Sequence, residues 1–278
     1  MRAKKNIARA IRILILIVLV VWSVFPIYWN ILTSLKERTE IFSFTPKFWV
    51  TSPNWSAYET ALTPGSASIY KYITNSLTIA IGATVLTLLF GIMAAYSFSR
   101  NHFRGKGLLW LLVLATRLLP PISTIVPLFL MASKLNLVDT HILLICVDVA
   151  LNIPFSIWML RSFFDSVPLE VQEASIVDGC STLQSVVHIM LPLAAPGIVT
   201  VAMFVFVQVW NEYTFSFIFS ATKTTTLPVI IAQAQGEDVF MWQDMAARTS
   251  IQMIPVLFLG LYLQKHLVGG LTAGAVKG

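Results

Sequence analysis

The sequence predicts an all-α, polytopic membrane protein with six transmembrane helices, and three observations support this fold class. Of the 278 residues, 56% are apolar and 12% are charged, whereas an average soluble domain carries about 25% charged residues. The apolar residues form separate blocks of about 20 residues, long enough to cross about 30 Å of hydrocarbon as helix. The basic residues lie at the ends of these blocks and not in a stripe interleaved with aromatics, which argues against nucleic-acid binding.

Six apolar blocks are long enough to span the membrane, and we expect one helix from each. They are residues 11–32, 72–98, 108–132, 142–164, 195–219 and 251–268. An even number of spans places both termini on the same side. With the amino terminus inside, eleven Lys and Arg residues fall inside and seven fall outside, in agreement with the positive-inside rule. We therefore predict that both termini are cytoplasmic.

The spans divide the chain into three predicted parts. Residues 1–71 hold a basic start, the first span and an external loop, residues 72–268 form the core transmembrane domain, and residues 269–278 form a cytoplasmic tail. The start resembles a signal sequence, but its apolar stretch is too long, so we interpret it as a retained span. The external segments 33–71 and 220–250 are rich in Pro, Thr, Ser and Asn, which favours irregular structure. Both are candidate partner-binding surfaces.

The internal connection 165–192 is polar but has helical spacing, and it predicts a helix, a turn and a second helix. Pro168 suits the first turn of a helix, and Glu170 and Glu173 suit the positive end of its dipole. Gly179 can end this helix by adopting a left-handed conformation. Ser181 can then cap the second helix.

The second predicted helix has an apolar face, and it is expected to end at the membrane surface. The face consists of Leu183, Val186, Val187 and Met190, and we expect Leu191 and Pro192 to break the helix.

The first predicted helix carries features of a docking element. Ala174, Ser175 and Gly179 are small enough to let a partner approach closely. Glu173 offers a charge to a partner cation, and Asp178 continues the same helical spacing. The connection therefore predicts a protruding element that a partner protein grips.

The motif in this connection resembles the EAA loop of ABC importer permeases. The matching residues are Glu173, Ala174, Ser175, Gly179, Ile189, Leu191 and Pro192, with Ser175 in place of the usual second alanine. The tail resembles the ending of the smaller permease in maltose-type carbohydrate importers; its residues of interest are Gly270, Leu271, Thr272, Gly274 and Lys277. The resemblance extends over nearly the whole chain.

Membership of this family implies an ABC importer (type I) permease fold and the import of a sugar or sugar derivative across the bacterial inner membrane by alternating access. The implied partners are a second homologous permease, two cytoplasmic ATPase subunits and an extracytoplasmic sugar-binding protein. In that family the loop seats in a cleft of the ATPase, the tail reaches toward the ATPase dimer interface, and the larger permease chiefly holds the sugar.

The sequence offers no catalytic or cofactor site of its own. Its single Gly-Lys pair, Gly105–Lys106, is followed by glycine and not by the Ser or Thr of a phosphate-binding loop. We therefore expect ATP and Mg²⁺ to be bound by the partner ATPase subunits. The four histidines are scattered without metal-ligand spacing, and Cys146 and Cys180 fall in different environments. We predict no metal site.

Polar residues within the predicted spans are candidates for the translocation path, because a charge at mid-bilayer needs a partner. They are Arg117, Asp148, Asn152, Gln208, Asn211 and Glu212. Arg117 and Asp148 lie at compatible depths, so either a structural ion pair or a functional role is open. Asn152 can line a sugar path or bond a neighbouring helix. Glu212 can line the path or anchor the chain at the interface.

Two other classes of protein must be weighed against this interpretation. An ion-coupled secondary transporter could use Arg117, Asp148 and Glu212 as a charge relay, but it leaves the motif at 173–192 unexplained. An intramembrane enzyme would need a nucleophile with a base, or a metal cluster, and the sequence has neither spacing. We therefore favour the ABC permease.

Overall fold

The computed structural model describes residues 2–65, 68–234 and 241–273, and within these ranges all regular structure is helical. The α-helices are α1 (Arg2–Ser34), α2 (Arg38–Ile41), α3 (Ser56–Leu62), α4 (Tyr70–Arg100), α5 (Lys106–Ala115), α6 (Ile125–Lys134), α7 (His141–Ser166), α8 (Leu169–Val177), α9 (Thr182–Ser185), α10 (Leu191–Trp210), α11 (Thr214–Phe219), α12 (Leu227–Gln233) and α13 (Trp242–Ala273).

Five helical segments are long and apolar enough to cross a membrane, and a bent pair supplies a sixth if it is counted as one span. The five are Arg9–Ser34, Tyr70–Arg100, His141–Ser166, Thr182–Trp210 and Trp242–Tyr262. All five overlap predicted blocks. The segments 33–71 and 220–250 contain α2, α3 and α12 as short helices.

The third predicted span is a bent pair of helices and not one continuous helix. Lys106–Leu118 and Pro121–Lys134 meet at 94°. Leu119 and Pro120 are both extended, with ψ angles of 127° and 123°. Each of them precedes a proline, and a proline ring excludes the preceding residue from the helical region. The Pro120–Pro121 pair therefore breaks the span instead of merely kinking it.

The fifth predicted span is shifted, and the predicted helix break at Leu191–Pro192 is wrong. Helix α9 continues through a π-helical turn, Val186–Met190, into α10, which ends at Trp210. A proline lacks the N–H for an α-helical bond and its ring crowds the carbonyl four residues earlier. The wider π turn immediately before Pro192 accommodates the ring, so the helix passes through it.

One compact unit comprises residues 1–70 and 231–254. Its helices are tied by amides, since Asn30 Nδ2 donates to Ala246 O at 3.1 Å and Ser250 Oγ at 2.9 Å. Gln243 Nε2 donates to Asn54 O at 3.2 Å. The apolar part of α1 from Ile11 to Val24 is exposed, as expected of a helix with lipid around it.

The second unit comprises residues 71–230 and 255–278, and α7 lies at its centre. Small residues let neighbouring helices approach α7 closely, as membrane helix interfaces require. A Cβ added at Gly91 of α4 would lie 3.2 Å from Leu160 Cδ1 of α7. A Cβ at Gly197 of α10 would overlap the ring of Phe163. Both glycines therefore let a neighbouring helix pack closely against α7.

Candidate functional site

The connection 165–192 folds as the predicted helix, turn and second helix. Gly179 has φ of +91°, the left-handed conformation predicted for it. Gly179 N donates to Ile176 O and Cys180 N donates to Ser175 O, both at 3.0 Å. These two bonds form a Schellman motif, which satisfies the last carbonyls of α8.

The second helix of the connection begins with the cap predicted at Ser181. Gln184 N donates to Ser181 Oγ at 3.3 Å, and Ser181 N donates to Gln184 Oε1 at 2.8 Å. This reciprocal arrangement is a capping box, and it satisfies two otherwise free backbone donors. The turn between α8 and α9 is thus closed by local bonds on both sides.

The side chain of Ser175 faces into the connection and not toward a partner. It is 3% exposed, donates to Gln172 O and lies 2.6 Å from Ser185 Oγ. Gln172 Nε2 in turn donates to Tyr96 Oη of α4 at 2.8 Å. The small residue at position 175 therefore serves the contact between α8 and α9, and Gln172 ties that pair to a membrane helix.

The outer surface of the connection carries apolar side chains among its charged and polar ones. Val177 is 85% exposed and Leu183 is 72% exposed, and Ile176 beside them is half-exposed. We call these three residues the coupling surface. Sequence reasoning placed Leu183 on one apolar face with Met190, but Met190 is fully buried. The π turn between them shifts the helical register, so the predicted face divides in two.

The other residues predicted for ATPase coupling lie at varied depths. Glu170, Glu173, Ala174, Asp178 and Pro192 are exposed, whereas Ile189 and Leu191 are partly buried. Of the predicted tail contacts, Gly270, Leu271 and Thr272 belong to the backbone of α13. Gly274 and Lys277 lie outside the described residues.

A cavity of about 900 Å³ lies within the second unit, and five of the six residues predicted for the translocation path line it. They are Arg117, Asp148, Asn152, Gln208 and Glu212. The remaining lining is mostly apolar. Asn211 is not among the lining residues, and its Nδ2 donates to Val207 O at 2.8 Å. The volume falls in the range of about 300–1,000 Å³ typical of small-molecule sites.

Two polar residues on successive turns of α7 are buried at this cavity. Asp148 is 2% exposed and Asn152 is 4% exposed. Asn152 Nδ2 donates to Asp148 O at 2.9 Å, but Asn152 Oδ1 has no partner. The carboxylate of Asp148 has no hydrogen bond or ion pair within the described ranges. A buried acceptor without a donor is unfavourable.

The guanidinium of Arg117 does not pair with Asp148. The structure therefore lacks the ion pair that was one of the two alternatives for these residues. Arg117 Nη1 donates to Leu151 O at 3.3 Å, and Arg117 Cζ lies 5.5 Å from the centroid of the Phe155 ring. A carbonyl and an aromatic face are both favourable neighbours for a cation. Arg117 is thereby held against α7 at the cavity wall.

The carboxylate of Glu212 has a structural role as well as a place in the cavity wall. Its oxygens accept from Phe215 N at 2.7 Å and from Ser216 N at 2.9 Å. These are first-turn amides of α11, which lack partners within the helix. Glu212 therefore fixes the start of α11 directly after the break at the end of α10.

Sequence reasoning missed Asp139, which organises the loop between α11 and α12 in the second unit. Its carboxylate accepts from the backbone N–H groups of residues 221–224 at 3.0–3.1 Å and from Thr224 Oγ1 at 2.9 Å. Burial raises the pKa of this carboxyl, but the backbone donors outweigh that effect and hold the pKa well below its ordinary value. The positive φ of Asp139, 60°, is a signal that only a structure reveals.

Comparison with known proteins identifies the family. Residues 87–272 match the family described as binding-protein-dependent transport system inner membrane component. The trehalose/maltose transport system permease protein of Thermococcus litoralis is 34% identical over 94% of both chains. The sulfoquinovosyl glycerol transport system permease protein of Agrobacterium fabrum is 33% identical over 94% of this chain and 91% of its own.

Solved structures agree with the fold. A bacterial ABC transporter involved in the import of the acidic polysaccharide alginate contains a chain with a TM-score of 0.77 and 20% identity, covering 94% of this chain and 97% of that chain. A chain of the MetNI methionine ABC transporter gives 0.56 and 18%, covering 73% and 94%. The predicted all-α ABC importer permease fold is confirmed. The chain belongs to the binding-protein-dependent transport system inner membrane components, the multi-pass permease subunits of ABC importers.

Proposed function

We propose that this permease carries a sugar or sugar derivative across the inner membrane by alternating access, driven by ATPase subunits that grip the connection 165–192. The relatives named as permeases for trehalose/maltose, sulfoquinovosyl glycerol and diacetylchitobiose support a carbohydrate substrate. ATP and Mg²⁺ belong to the partner subunits in this proposal. The coupling surface is the observation that carries it.

The shape of the connection supports a docking role. Exposed apolar side chains such as Val177 and Leu183 are costly in water unless a partner covers them. The Schellman motif, the capping box and the Ser175–Ser185 bond make the connection rigid, so it can transmit movement without bending. The Gln172–Tyr96 bond offers a direct path from α8 to α4. Rigid-body transmission of this kind is a common route for coupled conformational change.

The proposed complex contains four further chains. A second homologous permease and two ATPase subunits complete the membrane assembly, and an extracytoplasmic sugar-binding protein delivers the substrate. Both termini of this chain are cytoplasmic in the proposal, as the distribution of basic residues supports. The external segments 33–71 and 220–250 are the proposed landing surface for the binding protein.

Transport by the assembled complex tests the proposal. Proteoliposomes receive ATP on the side of the membrane that carries the ATPase subunits. The binding protein and labelled trehalose, maltose or diacetylchitobiose are added on the opposite side. Uptake of at least one of these sugars should require both ATP and the binding protein. Uptake driven by a proton or sodium gradient without ATP would instead favour an ion-coupled transporter.

Two substitutions test the docking role within that complex. Gly179→Asp and Glu173→Lys should each abolish sugar-stimulated ATP hydrolysis while membrane insertion stays normal. Gly105→Asp is the matched control, because Gly105 also has a positive φ, 80°. As at Gly179, a Cβ added there would meet no atom within 4 Å. The same strain at Gly105 should leave stimulation within about twofold of wild type, since ±0.5 kcal/mol is usual away from functional features. Equal effects at both glycines would refute the docking role.

A further inference from the structure

A separate cavity, of about 590 Å³, lies beside the last turns of α1 and the first turns of α13. All of its described lining residues belong to the unit that comprises residues 1–70 and 231–254. The side chains of Phe25, Trp29 and Trp242 contribute aromatic surface to its wall, and Lys36 is the one charged side chain among the described lining residues. An apolar wall with a few polar groups is the usual form of a site for a small molecule.

The side chain of Lys36 is buried at this cavity with part of its hydrogen-bonding capacity unused. It is 3% exposed, its Nζ donates to Lys47 O at 2.6 Å, and the same Nζ lies 4.5 Å from the centroid of the Trp29 ring. Burial lowers the pKa of Lys36 and the charge of Glu40 opposes that shift. The ordinary lysine pKa of about 10.4 lies far above neutral pH, so the group stays an ammonium. Since an ammonium has three N–H donors, one remains for a ligand.

The charges around Lys36 favour a ligand with one negative charge. Lys47 and Glu40 act on Lys36, and these two residues form an ion pair with each other at 2.7 Å. Two lysines and one glutamate therefore leave one positive charge at the mouth of the cavity. Two polar side chains of the wall, Asn30 and Thr33, already donate to groups within the same unit. The ammonium of Lys36 is thus the group that an anionic ligand would meet, and charge-assisted hydrogen bonds are among the strongest in proteins.

The position of Lys36 along the chain corresponds to the headgroup layer of the membrane. The apolar block of α1 ends at Leu32, and Lys36 follows four residues later, which is ~6 Å at the rise of a helix. A bilayer has ~30 Å of hydrocarbon and is ~40–45 Å thick with its headgroups, so the headgroup layer on each side is ~5–7 Å deep. Trp29 lies one turn before the end of the block, where aromatic belts are found.

An apolar groove continues from the cavity toward the middle of the span. The groove is lined by Ile17, Val18, Val21 and Trp22, and it shares Phe25 and Pro26 with the cavity. Ile17 precedes Phe25 by eight residues, or ~12 Å of helix, which is most of the ~15 Å depth of one leaflet. A cation at headgroup level that opens onto an apolar groove of this depth has the two halves of a phospholipid site.

We propose that this cavity binds one anionic phospholipid, with the phosphodiester at Lys36 and an acyl chain in the groove along α1. The proposal goes beyond the import function, because the ligand is a lipid and not the cargo. A phosphodiester offers oxygen acceptors to the unused N–H of Lys36 and one negative charge to the cluster. Phosphatidylglycerol has that single charge, whereas phosphatidylethanolamine also has an ammonium, which the positive cluster would repel.

Photolabelling of the assembled importer tests the site directly. The importer is depleted of lipid in detergent and titrated with phosphatidylglycerol that carries a diazirine in its acyl chain. Peptide mass spectrometry then measures the adduct on residues 17–26, and the half-saturating concentration is obtained. Unlabelled phosphatidylglycerol should compete about tenfold better than phosphatidylethanolamine, the value of one charged contact. Inorganic phosphate should not compete in the same concentration range, because it has no acyl chain for the groove.

A lysine variant and a matched control locate the headgroup. Lys36→Gln removes the charge and should raise the half-saturating concentration about tenfold, the loss of one hydrogen bond to a charged group. Lys134→Gln makes the same exchange at an exposed lysine at the end of α6 and should leave that concentration unchanged.

Four results would overturn the proposal. Absence of saturable labelling on residues 17–26 would mean that another occupant, such as the second permease, covers the groove. Equal competition by inorganic phosphate would identify a site for free anions, and equal competition by phosphatidylethanolamine would show that the charge is not recognised. An unchanged half-saturating concentration in Lys36→Gln would remove the headgroup contact. If Lys36→Gln prevents assembly of the importer, the competition series on the wild-type importer decides alone.

Discussion

The connection 165–192 and the cavity in the spans treat polar and apolar groups in opposite ways. In the connection, the turn amides and the serine hydroxyls are satisfied internally, while Val177 and Leu183 face water. In the cavity, Asp148 and Asn152 Oδ1 are buried without donors. A docked protein surface would cover exposed apolar groups, whereas donors from water or a ligand would satisfy buried unpaired acceptors.

This contrast also separates rigidity from specificity. The connection can move as one body because its bonds are local and complete. In the cavity, buried acceptors without donors are unfavourable, so the polar groups there are less completely satisfied than those of the connection.

The largest effect is expected at the coupling surface. Val177→Asp should weaken association with the ATPase subunits about 100-fold, because it places a charge in an apolar contact. Val177→Thr keeps the shape without the charge and should weaken association less than tenfold. Co-purification of the ATPase at defined detergent concentrations measures both. If Val177→Asp retains the ATPase as wild type does, the exposed apolar groups have no docking role.

Two carboxylates near the start of α7 sharpen the contrast between satisfied and unsatisfied groups. Asp139 has donors on both oxygens and Asp148 has none. Asp139→Asn should lower hydrogen-exchange protection of the amides of residues 221–224 about 30-fold, equivalent to about 2 kcal/mol. Asp148→Asn should not lower the unfolding temperature. Equal destabilisation by the two variants would show that Asp148 has a partner.

The pH dependence of the loop 220–226 follows from the depressed pKa of Asp139. A carboxyl with a lowered pKa in the folded state contributes stability that is complete above its ordinary pKa and is lost as pH falls through the folded value. Protection of residues 221–224 should therefore be the same at pH 8 and pH 5 after correction for intrinsic exchange. A decline already at pH 6 would contradict the bonding pattern at Asp139.

An intermediate effect is expected at the hydrogen bond that links the connection to α4. Tyr96→Phe removes the donor–acceptor pair with Gln172 Nε2 and leaves both polar atoms of Gln172 unpaired, since Oε1 already has no partner. Sugar-stimulated ATP hydrolysis should fall three- to tenfold, about 1 kcal/mol, while basal hydrolysis stays constant. Tyr72→Phe, at the other end of α4, is the control. Unchanged stimulation would mean that movement passes by another path.

The smallest effect is expected from Ser175→Ala. Ser175→Ala removes its hydroxyl from the contact with Ser185 but restores the residue usual in the loop motif, so stimulation should stay within about twofold of wild type. Ser175→Leu overfills the same contact, costs about 1–3 kcal/mol and should uncouple the complex. A stronger effect of alanine than of leucine would place Ser175 in the partner interface.

The parts of the fold that depend on neighbouring residues could be predicted from the sequence. Gly179 ends one helix and Ser181 caps the next through local backbone chemistry. The structure has both features at the expected positions. The lengths of the apolar blocks gave the spans because the bilayer fixes the length of a helix that crosses it. The polar lining of the cavity was found because charges are rare inside spans.

The parts that depend on tertiary context could not be predicted. The effect of a proline varies with its surroundings: a π turn absorbs Pro192, whereas the pair Pro120–Pro121 turns the chain by 94°. The direction of Arg117 toward Leu151 O depends on side-chain packing that spacing does not encode. The hydrogen bonds to the Asp139 carboxylate join residues about 80 positions apart, and no local sequence pattern indicates such a contact.

Site-specific photocrosslinking at Val177 tests most directly whether the connection docks on the ATPase. p-Benzoylphenylalanine replaces Val177 in the complete complex, and the control carries it at Val126, another exposed valine, on α6. Irradiation should yield a covalent adduct with the ATPase subunit from position 177 and none from position 126. An adduct with the ATPase from neither position, or from both, would contradict the docking role of the connection.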